Sequence, residues 1–295
     1  MNRILIIIIA FISASCLKLD SNMYNVSDKI TEYKLDNYTG EQDFILDASY
    51  NLPAAYVTQF TLNSKNKEGK DVEIYAIYIG DMAKIATDTV ILYCHGNKWH
   101  MDFYWQRAKL LAHVNGKNRY GVLMMDYQGY GLSKGIAEEQ AIYNDVSTCI
   151  DWLKLKGLTS GRLMMYGFSL GSAPACELTA HPGSLSPAKL ILEAPFASAA
   201  VLEQDASQLN MPAEYFTDLK LDNAEEIKLV NQPFLWIHGD NDNFVGYKTH
   251  GQVVYNNYAG TYKEKFLVAG ADHGEVPEKM GFEKYLEVAG TFIRR

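Results

Sequence analysis

The stretch Arg162-Leu-Met-Met-Tyr166 runs straight into Gly167-Phe-Ser169-Leu-Gly171, and Ser172-Ala-Pro-Ala-Cys176 follows. The first segment is short and apolar, as a buried strand is. The last is rich in small residues and reads as the start of a helix, with Pro174 in its first turns, where a missing N–H costs least. Strand, G-x-S-x-G and helix in series make a nucleophile elbow. A sharp turn lifts the serine hydroxyl clear of the sheet, and the glycines give the crowded backbone room. Ser169 is therefore the candidate nucleophile.

The pentapeptide alone is weak, since a chain of this length holds a copy by chance about one time in ten. A second copy is present, Gly131-Leu-Ser133-Lys-Gly135. Context separates the two. Ser133 comes several residues after an apolar run that ends at Met125, behind the polar, glycine-rich Asp126-Tyr-Gln-Gly-Tyr-Gly131, which is loop chemistry. Ser169 abuts its strand directly.

The 295 residues are 48% hydrophobic, enough for a large core, and carry 35 acidic against 27 basic side chains, for a net charge of −8. That balance disfavours a nucleic-acid partner and supplies no basic face for anionic lipid. No internal repeat or proline-rich linker divides the chain, and a single α/β domain accommodates this length. Past the N-terminus, Cys94, Cys149 and Cys176 are odd in number and widely spaced. They make no disulfide framework and read as small buried hydrophobes.

Arg3 is the only charge before an apolar run over residues 4–12, which ends in Ser13-Ala-Ser-Cys16. About nine apolar residues fall short of the roughly 20 that span a bilayer. Basic n-region, apolar h-region and small residues are the layout of a secretory signal, here residues 1–15. Two outcomes stay open. The cysteine resembles the lipobox of bacterial lipoproteins, in which Cys16 is acylated and becomes the mature N-terminus of an exported, membrane-anchored protein. Ser13 departs from that pattern, which usually has leucine there. Plain cleavage after Ser15 instead gives a soluble periplasmic or secreted protein.

Residues 16–53 lack periodicity and read as an N-terminal extension, with the main domain over 54–295. Residues 56–62 and 72–79 alternate in polarity around a turn-like Asn63-Ser-Lys-Asn-Lys-Glu-Gly69, which predicts an antiparallel hairpin. Short apolar runs at Val90–Cys94, 122–125, 163–166, 190–192, 234–237 and 266–268 then alternate with longer segments. One of these, through Ile142, Val146, Ile150 and Leu153, has helical spacing and stops at Gly157. The pattern predicts an α/β fold, a mostly parallel sheet with helices on both faces, whose chemistry gathers at the carboxyl ends of the strands.

Those ends carry the remaining candidates. Val90–Cys94 ends in His95-Gly-Asn97. An elbow serine takes its oxyanion donors from the N–H just after it and from such a strand-end loop, which assigns the backbone N–H groups of Leu170 and Asn97. His95 reads as loop-shaping. The run 234–237 ends in His238-Gly-Asp240-Asn-Asp242, where a carboxylate can orient and stabilise a histidine. Asp242 is favoured over Asp240, because the glycine turn needs a few residues before a side chain points back to the site. Asp240 then forms the turn, and His238 is structural. The last strand ends in Ala269-Gly-Ala-Asp272-His273-Gly274, placing His273 as general base. His100, His113, His181 and His250 read as surface or packing residues. No histidine and carboxylate spacing suggests a metal site, and no cofactor is implied. Glu193, at another strand end, reads as a loop brace.

In series, "HGN", "DYxGYGxSxG", "GxSxG", "HGxxDxxV" and "GxxH" resemble the α/β-hydrolases, from about Tyr56 to the C-terminus. The chain order Ser169, Asp242, His273 is the one stated for that fold. The branch it resembles includes membrane-associated ABHD-type serine hydrolases, some of which remove acyl groups from protein thioesters. The resemblance implies a serine hydrolase acting on esters or thioesters, whose substrate is a small acyl compound or an acylated protein. A peptidase or amidase on the same fold, and a catalytically silent binding lipoprotein, are the alternatives. Gln128 stands where "DYRGYG" usually has arginine, and Gly246 replaces the usual proline after "HGxxDxxV". A small lid is expected over 199–232, with Leu209, Met211, Tyr215 and Phe216 as its apolar surface. Trp99, Phe103, Tyr104 and Trp105 are candidates to line an acyl pocket or to fill the core.

Overall fold

The computed structural model describes residues 20–26, 29–116, 120–207 and 217–295. The expected signal, Cys16 and the four apolar lid residues lie outside the described residues. Among the described residues, no helix is long and apolar enough to cross a membrane.

One eight-stranded sheet organises the described residues, in the order β1-β2-β4-β3-β5-β6-β7-β8. The hairpin β1 (Val57–Lys65) and β2 (Asp71–Ile79) is antiparallel, and β2 joins β4 (Gly121–Met125) antiparallel as well. From β4 the sheet is parallel, through β3 (Val90–Cys94), β5 (Leu163–Phe168), β6 (Lys189–Glu193), β7 (Phe234–Gly239) and β8 (Lys263–Val268). The central strands β3, β4 and β5 are buried along their whole length. Burial on both faces is why they read as continuous apolar runs rather than alternating ones.

Alternate residues feed two cores. Val90, Leu92 and Cys94 face one side, with α2 (Glu139–Leu155) and α3 (Ser172–Ala180) packed over them. Ile91 and Tyr93 face the other, beneath α1 (Met101–Ala112) and the C-terminal α8 (Phe282–Arg294). Helix α8 buries Tyr285, Val288, Ala289, Phe292 and Ile293, the stripe of a 3.6-residue period. The shorter helices are α4 (Ala199–Ser207), α5 (Asn223–Glu226), α6 (Gly251–Asn257) and α7 (Val276–Met280). Cys94, Cys149 and Cys176 are free and buried.

All twelve residues of α1 are buried, although Asp102, Gln106, Arg107 and Lys109 are polar. The extension supplies their cover. The backbone N–H groups of Lys34 and Leu35 donate to the Asp102 carboxylate at 3.0 and 2.7 Å. Asp36 accepts from Trp105 Nε1 at 2.9 Å and from Lys109 Nζ at 2.6 Å. Leu46 N–H donates to Gln106 Oε1 at 3.2 Å, and Phe44 and Leu46 enter the core. Burying these groups without partners would be costly. The described extension is thus an integral outer layer over α1.

At the other side of the sheet, Gln128 meets a buried carboxylate. Its backbone N–H and its Nε2 donate to Asp145 at 2.7 and 2.8 Å. Burial pushes the Asp145 carboxyl up to about 7, and the Gln128 hydrogen bonds oppose this only in part.

Candidate active site

Ser169 sits where β5 turns into α3 with φ +52°, a left-handed conformation that strains a residue with a side chain. The flanking glycines make this turn possible by absence of bulk. A Cβ on Gly167 would stand 2.5 Å from Gly171 O and 2.7 Å from Ser172 Cα. One on Gly171 would collide with the carbonyls of Cys94 and His95. The elbow is therefore pressed against the end of β3, where the oxyanion-loop candidate Asn97 begins.

His273, in the loop after β8, reaches this serine. Its Nε2 lies 2.8 Å from Ser169 Oγ, and its Nδ1 lies 2.8 Å from Asp242 Oδ2. The other oxygen of Asp242 accepts the backbone N–H groups of Phe244 and Val245 at 3.0 and 2.7 Å. Burial alone would raise the Asp242 pKa. Hydrogen bonds from His238 and His273, the His273 charge and the Val245 N–H outweigh it and hold the carboxyl well below the usual range. Asp240 is exposed and accepts Gly270 N–H at 2.6 Å, a turn-forming role.

The oxyanion candidates lie at the same place. Asn97 lines a cavity of about 560 Å³ together with Ser169 and His273. Its side chain is tied down, with Oδ1 accepting from Asn25 N–H at 2.9 Å and from Tyr130 OH at 2.6 Å. Leu170 follows Ser169 directly in the elbow, with its side chain in the core. Of the expected aromatics, Phe103 and Tyr104 line the cavity, joined by Phe168 and Phe244. Trp105 is fully buried instead, held by Asp36.

Ser133 is 7% exposed, and its hydroxyl is fully engaged. It donates to Asp126 O at 2.7 Å and accepts Tyr75 N–H at 2.9 Å, so it pins the loop after β4 to β2. His95 is buried with Nε2 3.1 Å from Asp126 Oδ1, and its ring packs on Tyr104 and Tyr127. Glu193 is buried and braces the interior through Arg107 at 2.5 Å.

Two parts of the site escape the sequence reading. One is His238, whose Nδ1 accepts from Trp236 Nε1 at 3.0 Å. Its Nε2 therefore carries the proton and faces Val245 O at 2.8 Å and Asp242 Oδ2 at 3.2 Å. The other is the extension, which contributes Asn25, Glu41, Gln42 and Asp43 to the cavity wall. Among the described residues, nothing from the lid segment lines that cavity.

Comparisons with known proteins agree with this architecture. The family model for serine aminopeptidase, S33 (Hydrolase_4) matches residues 86–230, a span that holds Asn97, Ser169 and Leu170. The "Putative alpha/beta hydrolase L404" of Acanthamoeba polyphaga mimivirus is 27% identical over 239 residues, 80% of this chain and 85% of that protein. Alpha/beta hydrolase domain-containing protein 17C of Xenopus tropicalis is 25% identical over 204 residues, 69% of this chain and 61% of that one. Among solved structures, the esterase Pf2001 of Pyrococcus furiosus superposes with a TM-score of 0.64 at 16% identity, covering 90% of this chain and 99% of its own. At that identity the likeness is one of fold. Sheet order, elbow and relatives together give this chain the α/β-hydrolase fold and support its place among the hydrolases of that superfamily.

Proposed function

We propose that the protein is a serine hydrolase that cleaves carboxylic esters or thioesters through an acyl-enzyme on Ser169. One observation carries the reading: a single imidazole bridges Ser169 Oγ and Asp242 Oδ2, at 2.8 Å on each side. His273 Nε2 takes the hydroxyl proton as Oγ attacks the acyl carbon. Asp242 stabilises the imidazolium that forms, and the N–H groups of Leu170 and Asn97 bind the developing oxyanion. The imidazolium then protonates the leaving alkoxide or thiolate. Water, deprotonated by His273, attacks the acyl-serine and frees the acid. The aromatic wall of Phe103, Tyr104, Phe168 and Phe244 suits a short or medium acyl chain. A fluorophosphonate probe on purified protein, followed by a panel of ester, thioester and peptide substrates, tests this. Labelling of wild type but not of Ser169→Ala supports it, and absence of both labelling and turnover leaves a binding protein.

A peptidase or amidase reading is favoured by the description of the matching family as a serine aminopeptidase. The same three residues serve that chemistry. Amide turnover exceeding every ester rate would establish it.

The proposal extends to the N-terminus, on sequence grounds. Cys16 carries a lipid anchor on an exported bacterial protein, and stable anchoring takes more than one acyl chain. Mass spectrometry of the mature protein tests it, and an unmodified Cys16 overturns it.

A further inference from the structure

Behind the three residues of the proposed reaction lies a buried charge that the reaction does not use. Arg107, on α1, is 1% exposed. Its Nη1 donates to Glu193 at 2.5 Å, and its Nη2 donates to both Asp43 and the Gly274 carbonyl at 3.0 Å. Glu193 is held in turn by Tyr285 OH at 2.7 Å and by Tyr166 OH. The guanidinium lies 4.1 Å from the ring centroid of Phe168, whose ring packs 5.2 Å from that of His273. Phe168 precedes Ser169 and Gly274 follows His273, so one cation grips both neighbours of the reacting pair.

Asp43 closes this arrangement from the extension. It is 19% exposed in the side chain and lines the cavity. It is packed so closely on Gly274 that any Cβ there would strike its carboxylate. Asp43 also senses the His273 charge, as a second carboxylate near the ring besides Asp242.

We propose that Arg107 and Asp43 are positioning residues that fix the His273 loop against Ser169, which brings one residue of the N-terminal extension, Asp43, into the active-site machinery. Arg107 sets the loop position through Gly274 O and Phe168. Asp43 holds the guanidinium's outer nitrogen and adds negative potential at the imidazolium. The inference rests on the reading of Ser169 as nucleophile. If Ser169→Ala retains full turnover, that reading fails first, whatever the variants below do.

The test compares Arg107→Lys, Asp43→Asn, Asp43→Glu and Asp36→Asn in the full chain. Asp36 anchors the same extension, to Trp105 and Lys109, without touching the His273 loop. Among the described residues, the charged or titratable groups around His273 are Asp242 beyond β7, Asp272 and Glu275 on its own loop, Asp43 and Glu41 on the extension, Lys98 across the cavity, and Arg107 with Glu193 behind. Arg107→Lys keeps the charge but loses the fork, so kcat falls by roughly 10- to 100-fold with KM within about threefold and the acid limb of the pH–rate profile in place. Asp43→Asn removes a carboxylate that favours the imidazolium, so kcat falls and the acid limb moves to lower pH. Asp43→Glu restores the limb. Asp36→Asn lowers the melting temperature and leaves kcat and the limb unchanged. If Asp43→Asn matches Asp36→Asn in both kcat and acid limb, the extension is only a structural cover and the proposal is overturned. Folded Arg107→Lys with wild-type kcat overturns the role of Arg107. Should that variant not fold, Asp43→Asn decides alone, because it leaves the Arg107–Glu193 pair intact.

Discussion

His238 Nε2 lies 3.2 Å from Asp242 Oδ2, the oxygen that also meets His273. One carboxylate oxygen is therefore shared by two imidazoles, one buried and one facing the cavity. The buried one is locked by Trp236 and Val245, so it steadies Asp242 without competing for the reaction's proton. Asp242→Asn should cost on the order of 10³–10⁴ in kcat, by analogy with triads whose acid was neutralised. Asp240→Asn should cost little. His238→Phe should lower kcat by roughly 10- to 100-fold, since hydrogen bonds to charged groups contribute about 1.5–3 kcal/mol. Steady-state kinetics at matched folding check all three. A larger loss at Asp240 than at Asp242 would move the acid.

Ser133 shares the pentapeptide motif but spends its hydroxyl on the backbone of Tyr75 and Asp126. Ser133→Ala leaves two backbone groups unpaired, so stability should fall by about 1–3 kcal/mol, with kcat largely intact. Thermal melts and ester turnover on one preparation check this. Unchanged stability with lost turnover would contradict it.

Asp145 gives stability a signed pH dependence. Its carboxyl titrates at about 7 in the fold and near 3.9 when unfolded. Below pH 4 both states are protonated and the group imposes no penalty. Between those values the folded state binds more protons, so stability falls as pH rises, at up to about 1.4 kcal/mol per pH unit. Above 7 both states are ionised and the penalty is constant. Asp145→Asn should therefore be more stable than wild type at pH 8, and its advantage should vanish toward pH 4.5. Urea unfolding across that range reads the difference, and a pH-independent difference would show that ionisation of Asp145 carries no penalty.

Acyl-chain selectivity follows from the cavity. Each buried CH₂ contributes about 0.8 kcal/mol, so kcat/KM for p-nitrophenyl esters should rise gradually with chain length. It should fall once a space of about 560 Å³ is full. A rate still climbing at the longest chains would show an open groove.

The strands, the elbow and the strand-end residues Asn97, Ser169, Asp242 and His273 were legible because parallel sheets impose regular apolar runs and place chemistry at their carboxyl ends. The extension was not. It has no periodic pattern, and it attaches through single polar contacts to residues far along the chain, as Asp36 does to Lys109 and Asp43 to Arg107. A signal is present in α1, where Asp102, Gln106, Arg107 and Lys109 are residue types that usually make a solvated face. Only the packed structure shows that face to be covered. The sequence marks His238 as structural, but its contact with Asp242 depends on the turn geometry of the intervening residues, which spacing alone does not give.

A covalent acyl-enzyme on Ser169 is the intermediate on which the proposed reaction turns. Rapid acid quench during turnover of a p-nitrophenyl ester, followed by peptide mass mapping, measures it directly. One acyl adduct is expected on the peptide containing Ser169, absent from Ser169→Ala, which should also lose turnover. Wild-type turnover in Ser169→Ala, or an adduct that maps to another residue, would contradict it.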